Sequence, residues 1–172
     1  MEEQVILVDE NDVAIGVMEK QQAHLQGLLH RAISILVFNS AGELLIQQRA
    51  AHKYHSPMLW TNTCCSHPRP GESNDHAASR RLMEEMGMSV KLEKKWSFTY
   101  KTTFENGLME HEFDHVYFGY SDIHPQINPE EAHAYRYVTM EQLESEIDQS
   151  PEQFTYWFKL LLPHISKHLV QS

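Results

Sequence analysis

The chain has 172 residues, 41% hydrophobic and 22% charged, with a formal net charge of −10. That is enough for one domain with a sizeable core and short for two, and the acidic balance disfavours nucleic acid or an anionic membrane as the main partner. No apolar run approaches a bilayer span, the acidic start Met1-Glu2-Glu3-Gln4 reads as neither a secretory nor a mitochondrial presequence, and the adjacent Cys64 and Cys65 fit reduced thiols in the cytoplasm rather than a disulfide framework.

Val5 to Val8 reads as a strand, Asp9 to Asp12 as a turn, and Val13 to Val17 as a returning strand. Glu19-Lys20 leads into a polar stretch carrying His24 and His30. Ile33 to Phe38 is a strong strand, joined by the turn Asn39-Ser40-Ala41-Gly42 to a partner over Glu43 to Gln48. Arg49 to Pro57 is a basic, histidine-rich loop. Asn74 to Met86 is predicted helical: Ser73 or Asn74 caps it, Asp75 suits its positive end, and Gly87 suits the C′ position. Val90 to Tyr100 is extended, Asn106-Gly107 signals a hairpin, and Glu110 to Tyr120 alternates as a strand. Ala134 to Val138 is a further short strand, and Thr139 to Gln142 is a capping box opening a helix to about Asp148. Phe154, Trp157, Phe158, Leu161, Leu162 and Ile165 fall at helical spacing in a last helix that Pro163 should kink or divide. Strands dominate the first two thirds and helices flank them, so the predicted class is a mixed α/β sandwich in one domain over residues 1–172.

Cys65 stands two residues before His67 in Trp60-Thr61-Asn62-Thr63-Cys64-Cys65-Ser66-His67-Pro68, upstream of an acidic helix. That placement points to chemistry rather than packing. In the helix, Ala78, Leu82 and Met86 form an apolar stripe, and Glu85 falls on it, so its carboxylate points inward and needs a partner. A surface pair with Arg81 at i, i+4 is the ordinary alternative. Glu110 and Glu112 project from one strand face while His111 points the other way. Like carboxylates on one face repel unless they are solvated or share a cation. His24, His30 and His67 are the complementary half. Each alone reads as a surface or satisfied core histidine; together with two carboxylates they could close a site for Zn²⁺, Mn²⁺ or Mg²⁺, imidazole favouring a transition metal. Lys20, Arg49, Lys53 and Arg81 lie near these motifs and could clamp a diphosphate, with ordinary surface charge as the alternative.

Residues Arg80 to Met88 resemble the core of the Nudix signature, with Glu72 in the place of its upstream glutamate. Ser66 stands where that pattern has glycine and Arg81 where it has glutamate, which puts ordinary Nudix pyrophosphohydrolase chemistry in doubt. Thr61-Asn62-Thr63-Cys64-Cys65-Ser66-His67-Pro68 followed by Glu110-His111-Glu112 resembles the type I isopentenyl diphosphate isomerases, over about His24 to Trp157. The resemblance implies a Nudix-type α/β/α sandwich with a mixed sheet and flanking helices, and interconversion of isopentenyl and dimethylallyl diphosphate in isoprenoid synthesis. By position it implies His24, His30, His67, Glu110 and Glu112 as metal ligands. It places Glu85 at a Mg²⁺ ion on the diphosphate, and Cys65 and Glu112 as the acid–base pair. Tyr100 falls beside the glutamate, and Trp157 over the reacting carbons. Lys20, Arg49, Lys53 and Arg81 become phosphate contacts. Cys64 matches no role and is expected to be a small buried residue. The expected partner is a small isoprenyl diphosphate, bound by a monomeric protein.

Moving a double bond requires a positioned proton donor, a base on the opposite face and a dry pocket. A free thiol, with a pKa near ~8.5, exchanges protons at neutral pH without being permanently ionised. Trp157 can set its π-face against a developing cation, worth on the order of 2 kcal/mol when desolvated, or serve simply as a core aromatic. Two other readings stay open: a Nudix hydrolase releasing phosphate or a monophosphate, and a metal-binding domain without catalysis.

Overall fold

The computed structural model describes residues 3–53, 55–104 and 106–170. Met1 and Glu2 of the acidic start, and Tyr54 of the basic loop, fall outside them. β1 (Gln4–Val8) and β2 (Ala14–Glu19) form an antiparallel hairpin that leads into a short helix, α1 (Lys20–Gln26). β3 (His30–Phe38) is the axis of the sheet. On one side it runs parallel to β8 (Met109–Tyr120) along its whole length, and β7 (Leu92–Thr103) adds antiparallel to β8. On the other side β3 meets β1, then β6 (Cys64–Ser66), then β4 (Leu44–Arg49). β4 carries β5 (Trp60–Thr61) and β9 (Ala132–Val138).

Alternation along β3 builds a core on each face. Ile33, Ile35 and Val37 pack with Ala77, Ala78, Leu82 and Met86 of α2 (Asn74–Met86). Leu36 and Phe38 join Val116, Phe118, Phe158, Leu161 and Ile165 on the opposite face. That face is covered by α3 (Met140–Gln149) and α4 (Tyr156–Val170), with a 3₁₀ turn, Pro151–Gln153, between them. Helices thus flank both faces of a mixed sheet, as the expected sandwich requires.

Three local expectations change. The stretch with His24 is a helix, capped by the Glu19 side chain, which accepts from the amides of Gln21 and Gln22. β5 and β6 lie where no strand was expected. Phe154 precedes α4, and Pro163 lies inside that helix without dividing it. Phe158, Leu161 and Ile165, on both sides of the proline, are fully buried, so packing on the sheet holds the segment helical.

The functional end of the fold arises because β3 and β4 pair only at Phe38 and Leu44 and then diverge. The segment Trp60 to Ser66 fills the wedge, and its buried polar side chains replace the missing ladder bonds. Val37 N donates to Thr63 Oγ1 at 2.9 Å, Thr63 Oγ1 donates to Leu45 O at 2.6 Å, and Asn62 Nδ2 donates to Ile35 O at 3.1 Å. Buried backbone groups must find partners, and here side chains supply them.

Candidate active site

The wedge opens into a cavity of about 880 Å³, lined by Cys65, His67, Glu85, Glu110, Glu112 and Trp157, and by all four candidate phosphate contacts, Lys20, Arg49, Lys53 and Arg81. His24, His30 and Tyr100 are buried beside its lining, the two histidines in ring contact with His67 and the tyrosine hydrogen-bonded to Glu112. Cys65 and Glu112 stand on the two strands that flank β3, with register partners Ser34 and His30. Opposed residues of neighbouring strands share a face, so both point to the face of α4. There β8 reads Glu110, Glu112 and Asp114 before it turns apolar at Val116 and Phe118.

Cys65 is fixed from two sides. Its thiol donates to Asn62 Oδ1 at 2.9 Å, and Trp157 Nε1 donates to the sulfur at 2.9 Å. Trp157 is held in turn by the chain before α4: Thr155 N donates to Trp60 O at 3.0 Å, and the Thr61 and Thr155 hydroxyls meet at 2.8 Å. Burial pushes the Cys65 thiol up, and the nearby charges of Asp114 and Glu85 add to this. The sulfur therefore carries its proton at neutral pH. Cys64, its neighbour, faces the α2 core and is fully buried.

One ligand atom from each of His24, His30, His67 and Glu112 lies within 4.8 Å of every other. α1 delivers His24 from its last turn, β3 begins at His30, and His67 follows β6. Glu112 Oε2 lies 3.2 Å from His30 Nε2 and 2.8 Å from His67 Nε2. His30 Nδ1 is 2.9 Å from Leu28 O, and its Nε2 faces the carboxylate. Ring nitrogens and a carboxylate that converge in this way need a proton or a cation between them. Burial alone lifts the Glu112 carboxyl, but the contacts with His30 and His67 outweigh it and hold Glu112 well below the usual carboxylate range. Burial lowers His24 to about 3, helped by the charge of His67, and lowers His67 as well, so both rings favour the neutral form that binds metal.

Glu110 stands slightly apart from the four. Tyr100 OH lies 2.8 Å from Glu110 Oε2 and 2.6 Å from Glu112 Oε1, so its one proton is shared between the two carboxyl groups it bridges. Glu110 Oε1 is buried without a hydrogen bond. His55 Nε2 lies 3.3 Å from it, but too poorly aligned to donate. Burial and the Glu112 charge raise the Glu110 carboxyl well above its ordinary value. A buried acceptor left open beside a second carboxylate and three imidazoles is the donor set of a divalent cation, so the residues present fit one.

The basic residues line the same cavity. Lys20 Nζ donates to Glu3 Oε2 at 3.1 Å, Lys53 Nζ to Glu131 Oε2 at 2.6 Å, and Arg81 Nη2 to Glu85 Oε2 at 2.7 Å. Arg49 reaches the His55 carbonyl at 3.3 Å, and its guanidinium lies 5.3 Å from the Trp157 ring centre. Glu85 is buried, as its place on the apolar stripe predicts, and also accepts from Gln47 Nε2 at 3.2 Å. The Glu85–Arg81 pair is thus real, but it lines a cavity and is not on the outer surface.

His55, Gln47 and Glu131 join the site without having been expected there. His55 is buried, stacks on Phe104 with ring centres 5.0 Å apart, and is lowered to about 2 by burial and by Arg49. The histidine-rich composition of its loop was the one available signal; nothing in the spacing separates His55 from His52.

A family profile described as the NUDIX domain matches residues 28–158. An isopentenyl-diphosphate Delta-isomerase of Pectobacterium atrosepticum is 54% identical over 162 residues, covering 94% of this chain and 90% of its own length. One of Serratia proteamaculans is also 54% identical over 162 residues, with the same coverage of both chains. A crystal structure from Deinococcus radiodurans superposes with a TM-score of 0.78 over 94% of this chain and 98% of its own, at 23% identity, a likeness of fold alone. With the NUDIX match spanning most of the sequence and half-identical relatives covering nearly all of it, the chain belongs to the isopentenyl-diphosphate Delta-isomerase family of Nudix-fold proteins.

Proposed function

We propose that the chain interconverts isopentenyl and dimethylallyl diphosphate with Cys65 and Glu112 as its acid–base pair, as a step of isoprenoid synthesis. The observation that carries the reading is one cavity holding a protonated, doubly anchored thiol and an ionised carboxylate on strands either side of β3. Among the described residues no base adjoins the sulfur to make it a nucleophile: its hydrogen-bond partners are the Asn62 amide oxygen, the Trp157 indole N–H and, at 3.9 Å, the Thr61 hydroxyl.

In the forward direction one of the pair gives a proton to the terminal alkene carbon, leaving a tertiary cation-like centre. The other removes a proton from the carbon on the far side of that centre, so the formula is unchanged. Tyr100 holds Glu112 in place, and Trp157 presents its ring to the positive charge while its N–H fixes the sulfur. Lys20, Arg49, Lys53 and Arg81 anchor the diphosphate, whose binding energy positions the hydrocarbon rather than driving the chemistry.

His24, His30, His67 and Glu112 would hold Mn²⁺, Zn²⁺ or Mg²⁺, with Glu110 as a further ligand, and Glu85 would face a Mg²⁺ ion on the diphosphate. Such ions supply fixed positive charge that orients and tunes the carboxylates beside them. The proposal extends to a monomeric, single-domain protein of the cytoplasm. Free Cys64 and Cys65 fit a reducing compartment, and no helix among the described residues is long and apolar enough to cross a membrane.

The test is to incubate the protein with isopentenyl diphosphate and Mg²⁺ and follow the products by NMR. Dimethylallyl diphosphate without phosphate release supports the reading. Release of phosphate or of a monophosphate would instead mark a hydrolase, and neither product a binding domain.

A further inference from the structure

Lys53 and Arg81, two of the side chains assigned to the diphosphate, already share an anion. Glu131 Oε2 accepts from Lys53 Nζ at 2.6 Å and lies 3.2 Å from Arg81 Nη2. Its side chain is 22% exposed and lines the cavity. The backbone fixes it there. Glu131 N donates to Asn128 O at 2.9 Å, Ala50 N donates to Glu131 O at 3.3 Å, and Asn128 N donates to Glu85 O at 2.9 Å. The chain before β9 is thereby laced both to α2 and to the loop carrying Lys53. Burial lifts the Glu131 carboxyl, but Lys53 and Arg81 outweigh it and hold it below its ordinary range, so it is an anion at neutral pH.

We propose that Glu131 is an internal counter-anion standing where a phosphate group of the substrate binds, and that it sets the selectivity of the site for a diphosphate over a monophosphate. The inference rests on reading the cavity as the isopentenyl diphosphate site. An entering phosphate must displace or share a carboxylate that Lys53 already bonds and that stands 3.2 Å from Arg81, whose hydrogen bonds go to Glu84 and Glu85, and a like charge a few ångströms away opposes its binding. A monophosphate has a single group with which to compete. A diphosphate has a second, which reaches the remaining cations, Arg49 and Lys20, and so outcompetes the carboxylate. Discrimination of this kind comes from a repulsive element built against the weaker ligand.

The experiment measures the inhibition constants of inorganic phosphate and inorganic pyrophosphate, and the KM for isopentenyl diphosphate, in the native protein, Glu131→Gln and Glu131→Ala, each checked for folding by thermal melting. Removing the charge should lower the phosphate constant about tenfold and the pyrophosphate constant and KM about threefold, narrowing the preference for diphosphate. Unchanged or raised constants in a folded variant overturn the proposal. If neither variant folds, Glu131→Asp, whose shorter chain loosens the same grip, is judged by the same directions. Native protein that fails to turn over isopentenyl diphosphate, or is not inhibited by pyrophosphate, overturns the reading of the site and this inference with it; native turnover with unchanged variant constants overturns the inference alone.

Discussion

At the scale of single residues, the roles divide by what each side chain can reach. Tyr100 OH bridges Glu110 and Glu112 with its one proton and is buried between them. Hydrogen bonds to charged groups are worth about 1.5–3 kcal/mol, so Tyr100→Phe is expected to lower kcat about ten- to hundredfold with little change in KM. Steady-state kinetics on isopentenyl diphosphate would read this, and a normal kcat would show that Glu112 needs no such support. Cys65, His67, Glu110 and Glu112 were legible in the sequence because residue type and motif order both single them out. Glu85 was legible because a carboxylate on an apolar stripe is out of place. Glu131 and Gln47 were not: Glu131 meets Lys53 across 78 positions and Gln47 meets Glu85 across 38, and no local pattern encodes such meetings.

At the scale of elements, α2 matches its expected bounds because every signal that defines it is local. Ser73 Oγ accepts from His76 N at 3.1 Å, and Gly87 closes the helix at φ 62°. That glycine also does something no sequence pattern announces: a Cβ there would come within 2.5 Å of the Gln126 carbonyl oxygen. Gln126 N and Asn128 N donate to the carbonyls of Met86 and Glu85, so the end of α2 is bound to the chain before β9. Gly87→Ala forces a left-handed alanine against backbone, at a cost of about 1–3 kcal/mol. The expected result is a melting temperature lower by roughly 3–10 °C; an unchanged melt would mean that this junction yields freely. α1 escaped expectation because its cap is a glutamate, outside the usual Ser, Thr, Asp and Asn set, although Gly27 at its end was a stop signal. β5 and β6 escaped because they span only 2 and 3 residues, and the polar side chains between them, Asn62 and Thr63, serve as ladder partners only once the wedge between β3 and β4 exists.

At the scale of the whole molecule, the sandwich was legible from strand alternation and helix stripes, and its two cores confirm it. What the pattern does not reveal is the price of the site, a cluster of buried imidazoles and carboxylates. His24, at about 3, and His55, at about 2, lie below the ordinary 6.5, and His67 and His115 are lowered too, each chiefly by burial. Above pH 6.5 the rings are neutral in both states and cost nothing. Below it the unfolded chain takes up protons that the folded chain refuses, so stability falls by up to about 1.4 kcal/mol per pH unit per histidine. Glu110 and Asp114, raised first by burial, act with the opposite sign and offset part of this fall. Chelator-treated protein should therefore show a lower urea midpoint at pH 5 than at pH 7, and saturating divalent metal should restore part of the difference by binding only the folded state. Equal midpoints would contradict this balance. We propose Cys65 as a proton carrier paired with Glu112 rather than a nucleophile or a packing residue. Turnover of isopentenyl diphosphate by Cys65→Ala, in protein shown to be folded by its melt, tests it most directly. The expected result is loss of dimethylallyl diphosphate formation with the fold retained; near-normal turnover would contradict it.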